Sequence, residues 1–323
     1  MGVILGVDGG NSKTELLVAT LDGEPVAFVR GAGTNTHGVG ADGCIAEIAR
    51  LVERAGADLP AEHGAFFLCG ADIESDVVEL VDAVRRTGWV RAATVDNDTF
   101  ALLRAGTEAA DAVAVVCGSG INCVGRSADG RVVRYPALGW ETGDWGGGGA
   151  LGREALYLAA RAEDGRGQPT LLTEVVRAQY GMSVGDVGEA VHYGRMRAER
   201  LDELAPAVVR AAGDGDDVAR GLVDRLAEEI VLLALRALAD LGLTNAHVVL
   251  GGGMLRDGTG PLFDEVVARL SERAPRAHPV AAVDAPVVGA ALVALEAVGA
   301  PPAAGERLRA AMRAGVAAET VGG

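Results

Sequence analysis

The sequence predicts an α/β protein with two similar lobes. The first observation is a unit that occurs twice: an apolar strand, a glycine loop, a second strand and an Asp-Gly turn. The first copy has its strand at 3–7 and its loop at 8–14, and the second copy has its strand at 112–116 and its loop at 117–122. An Asp-Gly pair between apolar runs is typical of a hairpin. An internal repeat of this kind indicates two lobes of related structure.

The second observation is that strands and helices alternate elsewhere, which predicts a mainly parallel sheet with an added antiparallel hairpin. Apolar runs predict strands at 16–19, 25–29, 65–68, 92–95, 248–250 and 280–283. Helical spacing of apolar residues predicts helices at 44–52, 77–84, 218–233 and 262–270, and small residues predict one from 286 to 297. The glycines at 146–149 predict a loop, because glycine disfavours the helix. The region 151–242 is then a helical insertion that the first lobe lacks.

The composition favours a small-molecule ligand over nucleic acid or a membrane. The 323 residues carry a net charge of −16, which disfavours contact with nucleic acid or an anionic membrane surface. The four cysteines form no CxxC pair, so we expect a reducing cytoplasm and neither a zinc site nor a disulfide framework. The sequence shows no basic leader and no apolar run of membrane-spanning length, so we expect no signal peptide and no membrane span.

Both glycine loops are predicted to bind phosphate groups. A tight glycine loop turns its backbone N–H groups toward an anion, and small polar side chains add donors. Ligands of open α/β sheets bind at the carboxyl ends of strands, and five notable residues follow predicted strands: Asp8, Asp72, Asp98, Ser119 and Gly251. Asp8 is the candidate metal ligand, directly or through water. The candidate phosphate-binding residues are Gly9, Gly10, Asn11, Ser12, Lys13 and Thr14 in the first loop and Gly118, Ser119 and Gly120 in the second.

Two aspartates are candidates for a catalytic base. Asp96 and Asp98 flank Asn97 directly after a predicted strand. A carboxylate there could orient a hydroxyl group and accept its proton, or it could cap the helix that follows. Strand alternation puts both acids on the same side, so their spacing leaves both open.

Side chains that suit a polyol ligand occur in the loop at 33–35 and at Asn122 and Asp144. Each of them suits a turn equally well. Trp140 and Trp145 suit either stacking on a sugar face or packing in the core.

These motifs resemble those of the sugar-kinase, Hsp70 and actin ATPase superfamily, and within it the BadF/BadG/BcrA/BcrD-type group that contains N-acetylglucosamine kinase. The resemblance covers about residues 3–298. The segment 8–14 resembles the first phosphate motif of the family and 118–122 the second. The segment 250–253 resembles the adenosine motif, and 286–291 resembles the second connector between the lobes.

The resemblance also implies roles for single residues. Asn97-Asp98 matches the pair in which the aspartate is the family's base, which selects Asp98 over Asp96. The loop at 33–35 and the Gly143-Asp144 pair match segments that approach an amino sugar, although the family's usual Gly-Asp-Glu-Gly-Ser run is here Gly-Asp-Trp-Gly-Gly. The implied adenosine contacts are Gly251, Gly252, Gly253 and Met254, and the candidate sugar contacts are Thr34, Asn35, Asp98, Ser119, Asn122, Gly139, Trp140 and Asp144.

The fold implied by the resemblance consists of two duplicated ribonuclease-H-like lobes of the actin-like ATPase type, with a hinge and an active-site cleft between them. The N-terminal lobe would cover 1–106 and be joined by the C-terminal helix at about 286–323. The larger C-terminal lobe would cover 107–285, including the helical insertion at 151–242.

The function implied by the resemblance is an ATP-dependent sugar kinase that uses Mg²⁺ and phosphorylates the 6-hydroxyl of N-acetylglucosamine in the cytoplasm. Glucosamine, N-acetylmannosamine, N-acetylmuramic acid and a neutral hexose are the alternative acceptors. An ATPase that activates a 2-hydroxyacyl-CoA dehydratase would need cysteines that bridge an iron–sulfur cluster, which Cys117 and Cys123 do not suit. A sugar-sensing regulator would normally bring a DNA-binding helix pair before the first strand. The sequence leaves the oligomeric state open, including a homodimer.

Overall fold

The computed structural model describes residues 2–255 and 258–315, and the chain forms two compact units. Unit 1 contains the described residues of 2–109, 134–136 and 282–315. Unit 2 contains the described residues of 110–133 and 137–281. The short segment 134–136 therefore packs with unit 1, an assignment that the sequence-based division did not include. The end of the expected C-terminal helix, 316–323, lies outside the described residues.

Unit 1 is built on a five-stranded sheet with the strand order β3-β2-β1-β4-β5. β1 pairs antiparallel with β2 and parallel with β4, and β4 pairs parallel with β5. The strands are β1 Val3–Gly9, β2 Lys13–Thr20, β3 Pro25–Ala32, β4 His63–Leu68 and β5 Ala93–Asp96. The helices of this unit are α1 Thr36–Ala55, α2 Glu74–Thr87, α3 Asp98–Gly106, α10 Pro286–Ala297 and α11 Pro302–Arg313.

β1 separates two layers of core because its side chains alternate between the faces of the sheet. Leu5 and Val7 belong to a core cluster that also contains Ile48 and Leu51 of α1. Ile4 belongs to the cluster on the other face, which contains the apolar residues of α10. All residues of β1 are buried, so the strand places the segment after Gly9 at a fixed edge of the sheet.

Small residues let the backbone of α10 pack directly against the backbone of β1 and the backbone of α3. A Cβ atom on Gly6 of β1 would lie 2.5 Å from the backbone nitrogen of Ala291. A Cβ atom on Gly289 would lie 2.0 Å from the carbonyl oxygen of Ala101 in α3. Both contacts are shorter than any real carbon contact, so only glycine fits at these two positions.

Unit 2 repeats the pattern with a five-stranded sheet in the order β10-β9-β6-β7-β8. β6 pairs antiparallel with β7 and parallel with β9, and β9 pairs parallel with β10. The strands are β6 Ala112–Cys117, β7 Ile121–Arg126, β8 Val132–Arg134, β9 His247–Gly251 and β10 His278–Ala281. The helices are α4 Gly147–Glu163, α5 Leu172–Tyr180, α6 Val184–His192, α7 Ala205–Gly213, α8 Asp217–Asp240 and α9 Pro261–Arg273, with short 3₁₀ helices at Gly139–Thr142 and Ala198–Leu204.

Two local predictions are corrected by the structure. The glycines at 147–149 lie in the first turn of α4, so the prediction of a loop at 146–149 is wrong from Gly147 onward. Helix propensity is overridden there because the N–H groups of Gly148 and Gly149 bond to the carbonyl oxygens of Gly118 and Ser119, at 2.7 and 2.8 Å. The last strand, expected at 280–283, lies two residues earlier at His278–Ala281, where it pairs with β9.

Among the described residues, no helix is long and apolar enough to cross a membrane.

Replacement of Gly289 by alanine is expected to lower the free energy of unfolding by at least about 2 kcal/mol, because the new methyl group would overlap the backbone of α3. Gly188→Ala in α6 is the matched control, since a Cβ atom there meets nothing within 4 Å. That variant should be stabilised by about 0.5–1 kcal/mol through its helix propensity. Chemical denaturation of both variants measures the difference. Equal stability of the two would contradict the close packing of α10.

Candidate active site

The first glycine loop is a tight turn whose tip is exposed. The N–H group of Gly10 donates to the carbonyl oxygen of Lys13 at 2.9 Å, directly after β1. Asn11 and Ser12, at the tip of the turn, are exposed. Exposed N–H and hydroxyl donors after the central strand are what binding of a phosphate group requires.

The predicted phosphate loop and the predicted sugar loop are joined within unit 1. The Thr34 N–H group donates to the carbonyl oxygen of Gly10 at 3.0 Å. The hydroxyl groups of Thr14 and Thr34 lie 2.8 Å apart, and both residues are fully buried. Asn35 Nδ2 donates to Asn11 Oδ1 at 3.0 Å. The two threonines, both predicted to contact ligands, therefore bond to each other in this structure.

The Lys13 side chain, predicted as a phosphate donor, is paired within the protein. Its Nζ atom lies 2.6 Å from Oε1 of Glu15. The same oxygen accepts from Nε and Nη2 of Arg30, at 2.9 and 2.6 Å, and Glu15 is only 1% exposed. The sequence analysis did not identify Glu15 as the partner of Lys13, although strand alternation places both side chains on the same face of the sheet.

Asp8 lies at the end of β1 in a region of concentrated negative charge. It is directly opposite Glu15 in the register of β1 and β2. Burial, followed by the charges of Asp98 and Glu15, raises the pKa of Asp8 well above its ordinary value, while Lys13 lowers it. An oxygen ligand in such a place suits a hard divalent cation. Among the described residues no group of three or more His, Cys, Asp or Glu side chains could hold a metal, so such a cation would take its remaining ligands from phosphate oxygens and water.

The structure distinguishes between the two candidate bases. Both carboxyl oxygens of Asp96 accept from Arg134, at 3.0 and 3.2 Å. Asp98 is the first residue of α3, and it forms no ion pair with any described residue. Loss of solvent raises the pKa of Asp98 to about 6, against the lowering effect of nearby backbone N–H groups. A carboxylate of that pKa is well suited to accept a proton near neutral pH.

A network of polar side chains surrounds Asp98. Asn97 caps α3 and accepts from the Thr99 N–H group at 2.9 Å. Its Nδ2 atom donates to Asp72 at 2.8 Å. Burial, followed by the charges of Asp98, Asp72 and Asp8, raises the pKa of the Cys69 thiol, so these three acids approach the same side chain. The thiol is therefore protonated at neutral pH.

The second glycine loop, in unit 2, is an open turn of backbone groups. The Gly118 N–H group donates to the carbonyl oxygen of Gly120 at 2.9 Å. A Cβ atom on Gly120 would meet nothing within 4 Å, and one on Gly118 would meet only the Gly253 nitrogen, at 4.0 Å. The Ser119 hydroxyl donates to Asp202 at 3.1 Å, a partner that the sequence did not indicate.

The segment after β9 lies against this second loop. Gly252 has a φ of 93°, and a Cβ atom there would lie 2.5 Å from the carbonyl oxygen of Cys117. The Met254 N–H group donates to that same oxygen at 2.9 Å. Gly253 is open, with nothing within 4 Å of a Cβ atom. Backbone from two strand ends is therefore left bare at the segments predicted to bind phosphate groups and adenosine.

The candidate sugar residues of unit 2 differ in exposure. Trp140, in the 3₁₀ helix that begins at Gly139, is 81% exposed. The Asp144 N–H group donates to the carbonyl oxygen of Gly139 at 2.9 Å, and its carboxylate bonds to the Thr142 hydroxyl. Trp145 is buried beneath the guanidinium group of Arg225, at 3.9 Å from the ring centre, which favours the packing interpretation for this residue.

Asn122 is also a candidate sugar residue, and it lies in the first part of β7. It is 9% exposed, and its Oδ1 atom accepts from the N–H group of Cys123 at 2.6 Å.

The chain belongs to the BadF/BadG/BcrA/BcrD ATPase family, whose model matches residues 5–294. Membership of an ATPase family implies the use of ATP.

Two curated proteins resemble the chain over most of its length. An N-acetylmuramic acid/N-acetylglucosamine kinase of Clostridium acetobutylicum is 26% identical over 307 residues, which are 91% of this chain and 98% of that protein. An N-acetyl-D-glucosamine kinase of Dictyostelium discoideum is 25% identical over 313 residues, which are 91% of this chain and 98% of that protein.

A solved structure shows the same fold. The crystal structure of a proposed N-acetylglucosamine kinase from Chromobacterium violaceum superposes with a TM-score of 0.70 at 21% identity, and 91% of this chain and 99% of that chain are covered. The predictions of the family, of a two-lobed α/β fold of the actin-like type and of a phosphotransferase are confirmed.

Thr34→Val is expected to lower the free energy of unfolding by about 1–3 kcal/mol, because the buried hydroxyl of Thr14 would lose its partner. The double variant Thr14→Val/Thr34→Val should regain most of this loss, since two apolar side chains of the same shape leave nothing unpaired. Chemical denaturation of the single and double variants gives the coupling energy. Additive losses in the double variant would contradict the threonine pair.

Proposed function

We propose that this protein transfers the γ-phosphate of ATP to the 6-hydroxyl of N-acetylglucosamine. The observation that carries the proposal is Asp98, a carboxylate without an ion pair in the described chain whose pKa of about 6 suits a base near neutral pH. Both curated relatives are named as kinases that act on N-acetylglucosamine, which supports the amino-sugar acceptor.

In this proposal Asp98 orients the acceptor hydroxyl and takes its proton as the oxygen–phosphorus bond forms. Transfer of a phosphoryl group needs little covalent chemistry from the protein, so positioning and stabilisation of charge supply most of the rate. The open turn at 10–13 and the second loop at 118–120 present backbone N–H groups to the phosphates. The bare backbone at 252–253 lets the nucleoside approach closely.

Asp8 would hold Mg²⁺ together with phosphate oxygens and water. The negative charges of Asp98 and Glu15 near Asp8 favour the binding of a divalent cation at this carboxylate. The cation would offset the charge on the phosphates. Lys13, held at Glu15, adds one fixed positive charge on the same side of the sheet.

Asn35 and Asp144 are both proposed to contact the sugar. The Asn35 side chain is already oriented at both ends, since its Oδ1 atom accepts from the His37 N–H group and its Nδ2 atom donates to Asn11. A fixed amide of this kind discriminates among sugars by hydrogen bonding. N-acetylmuramic acid is the second candidate acceptor, because the Clostridium relative is named for both sugars.

Asp98→Asn is expected to lower sugar-dependent ADP release by at least about 100-fold, because the amide cannot accept the hydroxyl proton. A coupled assay with Mg-ATP and a panel of amino sugars and hexoses measures this effect. Turnover with a different sugar would change the proposed acceptor. ADP release that is independent of every sugar, or an Asp98→Asn variant as fast as the wild type, would contradict the kinase proposal.

Asp96→Asn is the matched control for this measurement. Asp96 lies two residues away, but its carboxylate is occupied by Arg134. We expect this variant to keep activity within about tenfold of the wild type, because the loss of a partly exposed ion pair is modest.

The pH dependence of kcat/KM should show an acid limb with a midpoint near pH 6. Asp98 must be ionised to act as a base, and its pKa of about 6 is raised above the ordinary aspartate value. Activity is therefore constant above about pH 7 and falls about tenfold per unit below pH 6. A midpoint near pH 4 would show that the base is an ordinary, well-solvated carboxylate and would contradict this assignment.

A further inference from the structure

We propose that Asp72 is a positioning residue that holds Asp98 in place through Asn97. This inference rests on the proposed function, since it concerns the residue to which that function assigns the proton transfer. Asp72 itself touches no reacting group in the proposal. Its action is on the amide of Asn97.

The carboxylate of Asp72 is placed to act on that amide. It is 8% exposed and follows β4, whereas Asn97 is 3% exposed and follows the adjacent strand β5. Asp72 Oδ1 accepts from Asn97 Nδ2 at 2.8 Å. Asp72 Oδ2 faces Nε2 of His37 at 3.8 Å.

A carboxylate at this position determines which way the Asn97 amide points. An ionised carboxylate only accepts hydrogen bonds, so the NH₂ group of Asn97 must face it. The carbonyl oxygen of Asn97 must then face the other way, where it accepts from the Thr99 N–H group at 2.9 Å. The reverse orientation would place two oxygen atoms against each other and would leave that buried N–H group unpaired.

The amide orientation matters for Asp98 because Asn97 is the cap of α3 and Asp98 is its first residue. A capping side chain fixes the backbone at the start of a helix. The position of the Asp98 side chain, near Asp8 and Cys69, therefore depends on this fixed backbone. Displacement of a catalytic group by about 1 Å can reduce a rate by about 100-fold.

The strongest test exchanges the two side chains. Asn97→Asp alone places two carboxylates against each other and should reduce kcat by about 10- to 100-fold. Asp72→Asn/Asn97→Asp restores the contact with donor and acceptor reversed: the amide at 72 donates, and the carboxylate at 97 still accepts from the Thr99 N–H group. The kcat of the exchanged variant should be at least about tenfold higher than the kcat of Asn97→Asp.

Asp72→Ala should reduce kcat by about 10- to 100-fold and leave both KM values within about threefold, because the ligand-binding loops are intact. Asp76→Asn is the matched control: Asp76 caps α2 and lies 4.0 Å from His37, but its carboxylate is not the partner of Asn97. We expect its kcat within about twofold of the wild type. Thermal unfolding of each variant separates loss of folded protein from loss of rate.

Either of two results would overturn this inference and leave the proposed function intact. They are an Asp72→Ala variant with unchanged kcat, or an exchanged variant no faster than Asn97→Asp. Each requires a wild type that releases ADP in a sugar-dependent way. A wild type without sugar-dependent release would overturn the proposed function, and this inference with it. The two failures are therefore distinct.

Discussion

Burial of Asp8, Glu15 and Asp72 and partial burial of Asp98 at one edge of the unit 1 sheet are the constraint on which the candidate site depends. An ionised carboxylate removed from water costs several kcal/mol unless a partner compensates it. Glu15 is compensated by Lys13 and Arg30, and Asp72 by the amide of Asn97. The pKa values of Asp8 and Asp98 are both raised, chiefly by burial. These two acids are the ones proposed for the metal and for the proton transfer, and acids with perturbed pKa values are typical of functional sites.

The loops at the edge of the sheet near these acids are packed tightly against each other through their backbones. A Cβ atom on Gly33 would lie 2.0 Å from the carbonyl oxygen of Asn11, so the two loops touch through their main chains. The same device recurs in unit 2, where a Cβ atom on Gly147 would lie 2.5 Å from the carbonyl oxygen of Gly120. In each unit the glycines hold a loop in place and leave its outer N–H groups open. Such preorganised donors stabilise charge without reorganisation during the reaction.

Much of the fold could be predicted because its signals are local. Strand alternation, helical spacing and the repeated hairpin depend on residues near one another in the chain, and the resemblance added the family and the candidate base. The start of α4 at Gly147 could not be predicted, since the N–H groups of Gly148 and Gly149 bond to a loop about 30 residues earlier in the sequence. The pairing of Lys13, the mutual bond of Thr14 and Thr34 and the packing of Trp145 under Arg225 likewise depend on contacts between distant segments or adjacent strands.

The sequence by itself determined which residue types stand at the carboxyl ends of the strands: an acid and glycines after β1, Asn97-Asp98 after β5, and glycines after β6 and β9. Only the tertiary structure decided which of these groups form ion pairs within the described residues. Asp96 and Asp98 are equivalent by spacing, yet Arg134 forms an ion pair with Asp96, whereas Asp98 has no ion pair among the described residues. The physical reason is that spacing along a strand determines the side of a sheet, whereas burial and charge compensation depend on side chains that folding brings from elsewhere in the chain.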